Sequence, residues 1–538
     1  MATKKKTAPE RQPAPPRVQG VKRPPLKKTF IGNFLDKGKR PRRKLRSNTE
    51  VSRYILGLAL QDLGGVPITG PNPETDEKIA RMMASEIVAA INRSGADNRS
   101  ARNWYTTAVT RATRLAGLMQ PEITDDEAAR ALMPGTFDDA GDARTIMFAA
   151  MAITSQSVPV HENMRYALEQ YRYFVAHGRF SPKAYGVKGS SIRSNLLRFN
   201  HILSALGSIR EVRDFLGAEF TMREVKEAGA KVGIRIAGKE MADEIVQGSI
   251  LFGPKIGSFY QNLTGNFEPL TMDLWFCRTW GRYTGTLVRD DVSPAQVERL
   301  AETLRRDFLE LGAEMRESGL DFDPDKLEDY ESGDLLALAR NVHRFWETRR
   351  SAMVEAGFDN SQISVIKSGY GWPGAAESII KSLSGTVDAP GSGGQRRWMR
   401  SVMRRTLQIL ARNRYPMTTA DAQAILWFPE KDLYDHLANR KLGSLNVSYD
   451  EAMEAIARKE GFTDDEINDA LRSCGDPQLG GRDLSGTAGP RRPEGCGSHG
   501  EGPRGQGQGP QTEAPDGGHG GVTPPDDAVE EPAHEFTF

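Results

Sequence analysis

Residues 250–282 read I-L-F-G-P-K-I-G-S-F-Y-Q-N-L-T-G-N-F-E-P-L-T-M-D-L-W-F-C-R-T-W-G-R. A glycine-containing turn, Gly253-Pro254-Lys255-Ile256-Gly257, runs into an apolar helical segment from Ser258 to Leu263. Gly265 breaks that helix, an extended piece ends at Thr271-Met272-Asp273, and a second helix carries Trp275, Arg278 and Trp280. A lysine thus stands at the mouth of one helix and an aspartate at the mouth of the next. Free backbone N–H groups in such a turn attract a phosphate. A lysine there acts as an amine nucleophile once desolvated or set near other cations. The aspartate can take a proton or face a developing positive charge. Read singly, Lys255 is a surface lysine in a turn and Asp273 is a helix N-cap, where aspartate is favoured. The pair, with an apolar helix between its members, makes the stretch a candidate site.

Upstream, Ile146 to Val158 is an apolar helix ending in Ser155-Gln156-Ser157, followed by a helix with Met164, Ala167, Leu168 and Tyr171. Ile192, Leu196, Leu197, Phe199, Ile202, Leu203 and Leu206 continue the helical periodicity, and an Asp/Glu/Lys-rich piece, 218–245, leads to the turn. Nearer the N-terminus, residues 51–60 have helical spacing that stops at Gly64-Gly65. Thr75-Asp76-Glu77-Lys78 caps a second helix, and Asn103-Trp104-Tyr105 opens a third. Arg99, Arg102, Arg111 and Arg114 read as a solvated face rather than a binding patch. Downstream, Ser293-Pro294 starts a helix with an N-cap followed by proline. Leu335 to Arg350 forms another, with His343 and Trp346. Strands are hard to find anywhere in 50–350, so the fold class expected is mainly α.

The 538 residues hold 54 Gly and 31 Pro, concentrated at the ends, so folded regions between tails are expected. The formal net charge of +1 hides an asymmetry. Residues 1–46 carry sixteen Lys/Arg against two acids, whereas the last forty or so lean acidic. A basic arm of this kind suits attraction to nucleic acid through counterion release, or is a solvated tail or targeting signal. Residues 385–394 form a linker. Beyond it, Gln395 to Leu410 places arginines on one face and Trp398, Val402, Leu407 and Leu410 on another, suited to phosphates or to an acidic partner. Thr419–Phe428 and Tyr449–Ala457 read as short helices of a small accessory module.

Several chemistries are excluded. There is no P-loop, Rossmann glycine fingerprint, H-E-x-x-H pair or G-x-S-x-G elbow, and the eight histidines show no ligand spacing. Three cysteines, Cys277, Cys474 and Cys496, form neither a disulfide framework nor a four-thiolate cluster, so a reducing interior and no metal or cofactor are expected. No apolar run is long enough to span a membrane, and the arm lacks the apolar core of a secretory signal. The localisation expected is intracellular, cytoplasmic or nucleoid-associated.

Over residues 140–350, these features resemble the helix-hairpin-helix DNA glycosylases, the superfamily of endonuclease III and the 8-oxoguanine glycosylases. Leu251 to Gly257 lies on the family's hairpin and Leu270 to Trp275 on its aspartate segment. Lys255 falls on the catalytic lysine of the bifunctional members and Asp273 on the invariant aspartate. The hairpin here is one residue shorter and lacks its first glycine, and Trp275 replaces the usual histidine. The resemblance implies a two-lobed helical fold with the site in a cleft. It gives Gly253, Ile256 and Gly257 phosphate contacts, with Gln156 and Ser157 filling the gap left by an extruded base, and Trp346 or His343 as base-pocket contacts, beside the alternative of a core aromatic with a surface histidine.

The organisation expected is therefore a basic disordered arm (1–47), an N-terminal helical region (48–135), a helix-hairpin-helix domain (140–350), an accessory module (395–472) and a disordered tail (474–538). The resemblance implies a partner in double-stranded DNA with one nucleotide everted, and a bifunctional DNA glycosylase/AP lyase. Lys255 would attack the sugar C1′, with Asp273 assisting, and β-elimination would follow. Two alternatives stay open: a non-catalytic DNA clamp, of chromosome-associated or phage type, and a base-modifying enzyme on the same scaffold.

Overall fold

The computed structural model of the protein describes residues 41, 45, 47–93, 104–132, 136–186, 188–231, 236, 240–289, 292–320, 322–440 and 447–472. The basic arm through Arg40, the arginines at 99 and 102, and the Gly/Pro-rich tail from 473 lie outside these residues.

The fold is mainly α. Helices α1 (Asn48–Asp62) and α2 (Pro73–Arg93) are followed by a π turn (Trp104–Ala108) leading into α3 (Val109–Met119). Then come α4 (Asp126–Ala131), α5 (Ala140–Thr154), α6 (Val160–His177), α7 (Gly189–Leu206) and α8 (Ile209–Gly217). The Asp/Glu/Lys-rich piece that leads to the turn contains α9 (Met222–Lys231) between two short strands, β1 (Glu219–Thr221) and β2 (Ile245–Gln247). They pair antiparallel, with Phe220 opposite Val246. The remaining helices are α10 (Pro254–Leu263), α11 (Leu274–Thr284), α12 (Pro294–Glu317), α13 (Ser332–Glu355), α14 (Asn360–Tyr370), α15 (Trp372–Ser384), α16 (Gly393–Arg412), α17 (Thr419–Leu437), α18 (Tyr449–Lys459) and α19 (Asp464–Arg472).

The apolar stripes group into cores that do not follow the expected boundaries. One core joins α3 and α5–α8 with Leu251, Phe252, α10 and the apolar faces of α18 and α19. A second joins α2, the Leu270–Tyr283 stretch, α16 and the middle of α17. Helices α12–α15 close a third around Trp346 and Trp372. A fourth sets Val51 and Ile55 of α1 against Leu287 and the C-terminal half of α17. The 140–350 stretch is thus shared among cores. Residues 395–472, expected as a module apart, are built into the first, second and fourth.

The reason lies in α17. A helix with apolar or small residues on every side must be surrounded. Ala420 and Ala424 face the first core; Ala422, Ile425 and Leu426 face the second; Leu433, Tyr434 and Leu437 face the fourth. The arginine face of α16 finds its acidic partner within the chain. Arg397 bonds Glu244 at 2.7 Å and Asp243 at 2.9 Å, and Arg400 bonds Glu240 at 3.1 Å and Glu244 at 2.9 Å. Arg111, expected on a solvated face, instead ties α3 to α18 through Asp450 (2.7 Å) and Glu454 (3.2 Å).

Candidate active site at the junction of two cores

Lys255 and Asp273 are delivered by different cores. α10 belongs to the first and α11 to the second. Gly253 enters α10 at φ +97°, a conformation that favours glycine, and Pro254 follows at the first helical position with its φ already set. The turn is held from behind by α7: Arg198 Nη1 donates to Leu251 O at 2.8 Å and Asn195 Nδ2 to Phe252 O at 3.3 Å. Gln261 Nε2 ties the far end of α10 to Leu216 O at 2.7 Å. Gly257 lets α10 lie against the preceding turn, since a Cβ there would stand 2.4 Å from Ser249 O and 2.9 Å from Ile250 Cα. Both are backbone atoms and cannot swing aside. Gly257→Ala is therefore expected to destabilise the protein by about 1–3 kcal/mol, the usual cost of overpacking, measured as a lowered urea midpoint.

After α10 the chain turns at Gly265 (φ +92°) and reaches Asp273, which caps α11 by accepting the Phe276 N–H at 2.8 Å. The cap reading of Asp273 is thus realised in the structure. It does not exhaust the residue, because other polar groups converge on it. Gln423 Nε2 of α17 reaches the same carboxylate oxygen at 3.5 Å, and Tyr105 Oη reaches Gln423 Oε1 at 3.5 Å. Asn262 is bonded to Thr271 Oγ1 at 2.9 Å beside them. Burial pushes the Asp273 carboxyl above the usual range, opposed by the charge of Lys255, the Phe276 amide and the charge of Lys431. Lys255 is half-buried and Asp273 is 9% exposed. The junction therefore closes over the carboxylate.

A third titratable residue at the junction, Lys431 of α17, is one the sequence reading missed. It is 5% exposed, with Nζ 3.7 Å from the centre of the Trp427 ring and 5.9 Å from that of Phe428. Burial pushes its ammonium down to about 8, against the opposing charges of Asp273, Asp432 and Asp435. Its neighbours Glu430, Asp432 and Asp435 make it look solvated, and it lies beyond the Thr419–Phe428 stretch that reads as a short helix of an accessory module. Gln423 and Tyr105 gave no local signal, since their roles come from packing.

The other expected contacts fall differently. Of the turn's amides, Gly253 N is bonded to Ile250 O (2.7 Å) and Gly257 N to Gly253 O (2.8 Å), so neither is available to a phosphate. Pro254 has no N–H, which leaves the first-turn amides of Lys255 and Ile256, where no side chain caps the helix. The Ile256 side chain is in the core. Gln156 points inward: its Nε2 donates to Ile153 O at 3.0 Å and its Oε1 accepts from Ser191 at 2.8 Å. Filling a vacated base position would require breaking both bonds. Ser157 is exposed at φ +58°. Trp346 is buried in the third core and half-exposed His343 lies 3.6 Å from Glu377, the arrangement of a core aromatic with a surface histidine. Trp275, standing where the family has histidine, is engaged with Arg278, whose guanidinium lies 4.8 Å from its ring and 4.9 Å from that of Tyr434. Cys277 is a buried thiol pushed upward by burial, the opposite of a reactive one.

Along α11 from the junction lies a second charged group, fully buried. Arg282 grips Glu86 of α2 through two 2.8 Å bonds and Glu430 of α17 at 2.9 and 3.1 Å. Tyr283 adds a bond to Glu86, and Thr279 one to Glu430 at 3.3 Å. It ties α11 and α17, which carry Asp273, Gln423 and Lys431, to α2.

Among the described residues, no group of three or more His, Cys, Asp or Glu is arranged to hold a metal ion, and no helix is long and apolar enough to cross a membrane. Comparison with protein-family models, curated proteins and solved structures finds no match to the chain.

Proposed function

We propose that the protein binds duplex DNA and carries out base excision with lyase chemistry at the Asp273 junction. One observation carries this reading: a half-buried lysine and a buried carboxylate, set on successive helices that belong to different cores, share one electrostatic neighbourhood where those cores meet. An enzyme acting on a base within a duplex must first rotate it out of the stack, which costs a few kcal/mol and least at a damaged or mispaired base. The first-turn amides of Lys255 and Ile256, with the Lys255 ammonium, hold a backbone phosphate, and the basic N-terminal segment supplies attraction without sequence preference. Asp273 stabilises the sugar cation as the glycosidic bond lengthens. An amine then attacks C1′; the family resemblance assigns this to Lys255. The imine formed permits strand scission by β-elimination.

Borohydride reduction in the presence of abasic-site duplex is expected to trap a covalent adduct with the full chain, and to trap far less with Asp273→Asn. A wild-type protein that binds this duplex yet gives no adduct and cuts no lesion overturns the excision reading. A second reading, a non-catalytic DNA clamp, is favoured by the inward bonds of Gln156 and by the cap that Asp273 makes. It requires salt-dependent binding that survives both Lys255→Ala and Asp273→Asn.

A further inference from the structure

We propose that Lys431, rather than Lys255, is the amine that condenses with an aldehyde at this site, and that Lys255 serves as the cation that holds the strand. The first part stands on Lys431's own surroundings; its application to an abasic sugar rests on the excision reading above.

The argument begins with what an amine nucleophile needs. It must shed its proton near neutral pH, and desolvation is the direct way to achieve that. Lys431 is 5% exposed, and this burial is what drives its proton off; the Trp427 ring 3.7 Å from Nζ and the nearby carboxylates pull the other way without overcoming it. Lys255, at the start of α10, is half-buried. An amine pushed down to about 8 is roughly one-tenth neutral at pH 7, whereas an ordinary lysine is below one part in a thousand.

The second requirement is a group that can move protons during condensation. Asp273 is in the field of both lysines, and burial makes it a better proton carrier near neutrality than a solvated carboxylate. Asp432 and Asp435 of its own helix also act on Lys431, favouring the ammonium against the burial. In the step itself, the nitrogen lone pair forms a bond to the aldehyde carbon, and the C=O π pair moves to oxygen and is protonated. The carbinolamine then loses its hydroxyl as water while nitrogen gives up its remaining proton. Imine and one water result, with Asp273 lending and recovering the proton. No oxidant, reductant or metal is required.

The third requirement is access. Pro429 lies inside α17, between Trp427 and Lys431, and has no N–H to give to the carbonyl of Ile425. A helix bends most readily at such a point. The Trp427 and Phe428 rings beside the amine are half-exposed, so a small aldehyde approaches from their side while Glu430 stays on Arg282.

Two measurements on the full-length protein test the inference. In the first, wild-type protein is treated with butyraldehyde and cyanoborohydride between pH 6.5 and 9.5, and alkylated lysines are mapped by peptide mass spectrometry. Lys431 is expected to label at least about ten-fold faster than the median lysine at pH 7, with a rate that levels off above pH 8. Equal or slower labelling at Lys431 overturns the proposal, and no variant is needed to see it. In the second, borohydride trapping on abasic-site duplex is compared for Lys431→Met and Lys255→Met, each checked for wild-type circular dichroism. The expected result is loss of adduct in Lys431→Met and retention in Lys255→Met, with DNA binding weakened in the latter. The reverse pattern overturns the role given to Lys431. If Lys431 labels rapidly but wild-type protein forms no DNA adduct, the excision reading fails and the reactive amine stands.

Discussion

Replacing Arg282 by alanine is expected to destabilise the protein by about 3–5 kcal/mol, the range for removing one partner of a buried ion group. The guanidinium is 2% exposed and makes close bonds to two carboxylates, Glu86 and Glu430, that are themselves 6% and 0% exposed. Without it, two acids stand buried with no cation between them, and neither α2 nor α17 can move aside without opening the second core. Glu430→Gln is the contrasting variant. It keeps an acceptor for Arg282 and Thr279 while removing the surplus negative charge, so its effect is expected to stay within about 1–2 kcal/mol. The pH dependence of the deficit supplies an independent check. Burial already raises the Glu430 carboxyl in the native protein, ahead of the opposing pull of Arg282. With the arginine gone that pull vanishes, so the folded-state value rises further. A carboxyl raised on folding contributes stability that is present at low pH and lost as pH climbs through the raised value. The Arg282→Ala deficit, read from urea midpoints, should therefore shrink as pH falls from 7 toward 5. A deficit below about 1 kcal/mol, or one independent of pH, would show that water reaches these carboxylates in the variant.

This buried group also illustrates what a one-dimensional reading can and cannot reach. The helices themselves are written locally. Ser293, read as the N-cap before Pro294, makes a capping box with Gln296 at the start of α12. The break at Gly265 and the start of α11 at Asp273 are likewise legible, because a left-handed glycine and an aspartate N-cap are local necessities. Which helices share a core is not local. Glu86, Arg282 and Glu430 come from three distant segments, and an arginine within Cys277-Arg278-Thr279-Trp280-Gly281-Arg282 gives no sign of whether it meets solvent or two carboxylates. The same holds for the site. Lys255 and Asp273 were visible because one helix separates them in sequence. Lys431 and Gln423 were hidden because α17 returns to the junction only after the whole α12–α15 bundle has been inserted. The arginines of α16 were legible as a charged face in search of acids, and the acids are those of residues 240–244. Amphipathicity announces that a partner exists without saying that it belongs to the same chain.

Asp273→Asn is expected to move stability and activity in opposite directions. Asparagine caps a helix about as well as aspartate, so the Phe276 N–H keeps its acceptor and α11 keeps its start. The carboxyl is raised by burial first, with Lys255, the Phe276 amide, Lys431 and Gln423 working against that rise. The net upward shift means that the folded protein resists ionising this group more than the unfolded chain does. By linkage, the stability tied to its neutral form is fully present below the unfolded value near 4. It is lost as pH rises through the higher folded value. The asparagine variant has no such titration. Its stability relative to wild type should therefore improve between pH 4 and pH 7, ending level with or above wild type at neutrality. Activity on abasic or lesion-bearing duplex should fall by about 10²–10⁴, the range for losing a positioned acid–base group. A purely structural cap predicts something else: unchanged trapping with unchanged stability. A third outcome, strong destabilisation at pH 7 that vanishes at pH 4, would mean that the ionised carboxylate is held as a counter-charge for Lys255 and Lys431. The direction of the shift would then be reversed, and with it the claim that burial outweighs the two ammonium groups at this junction.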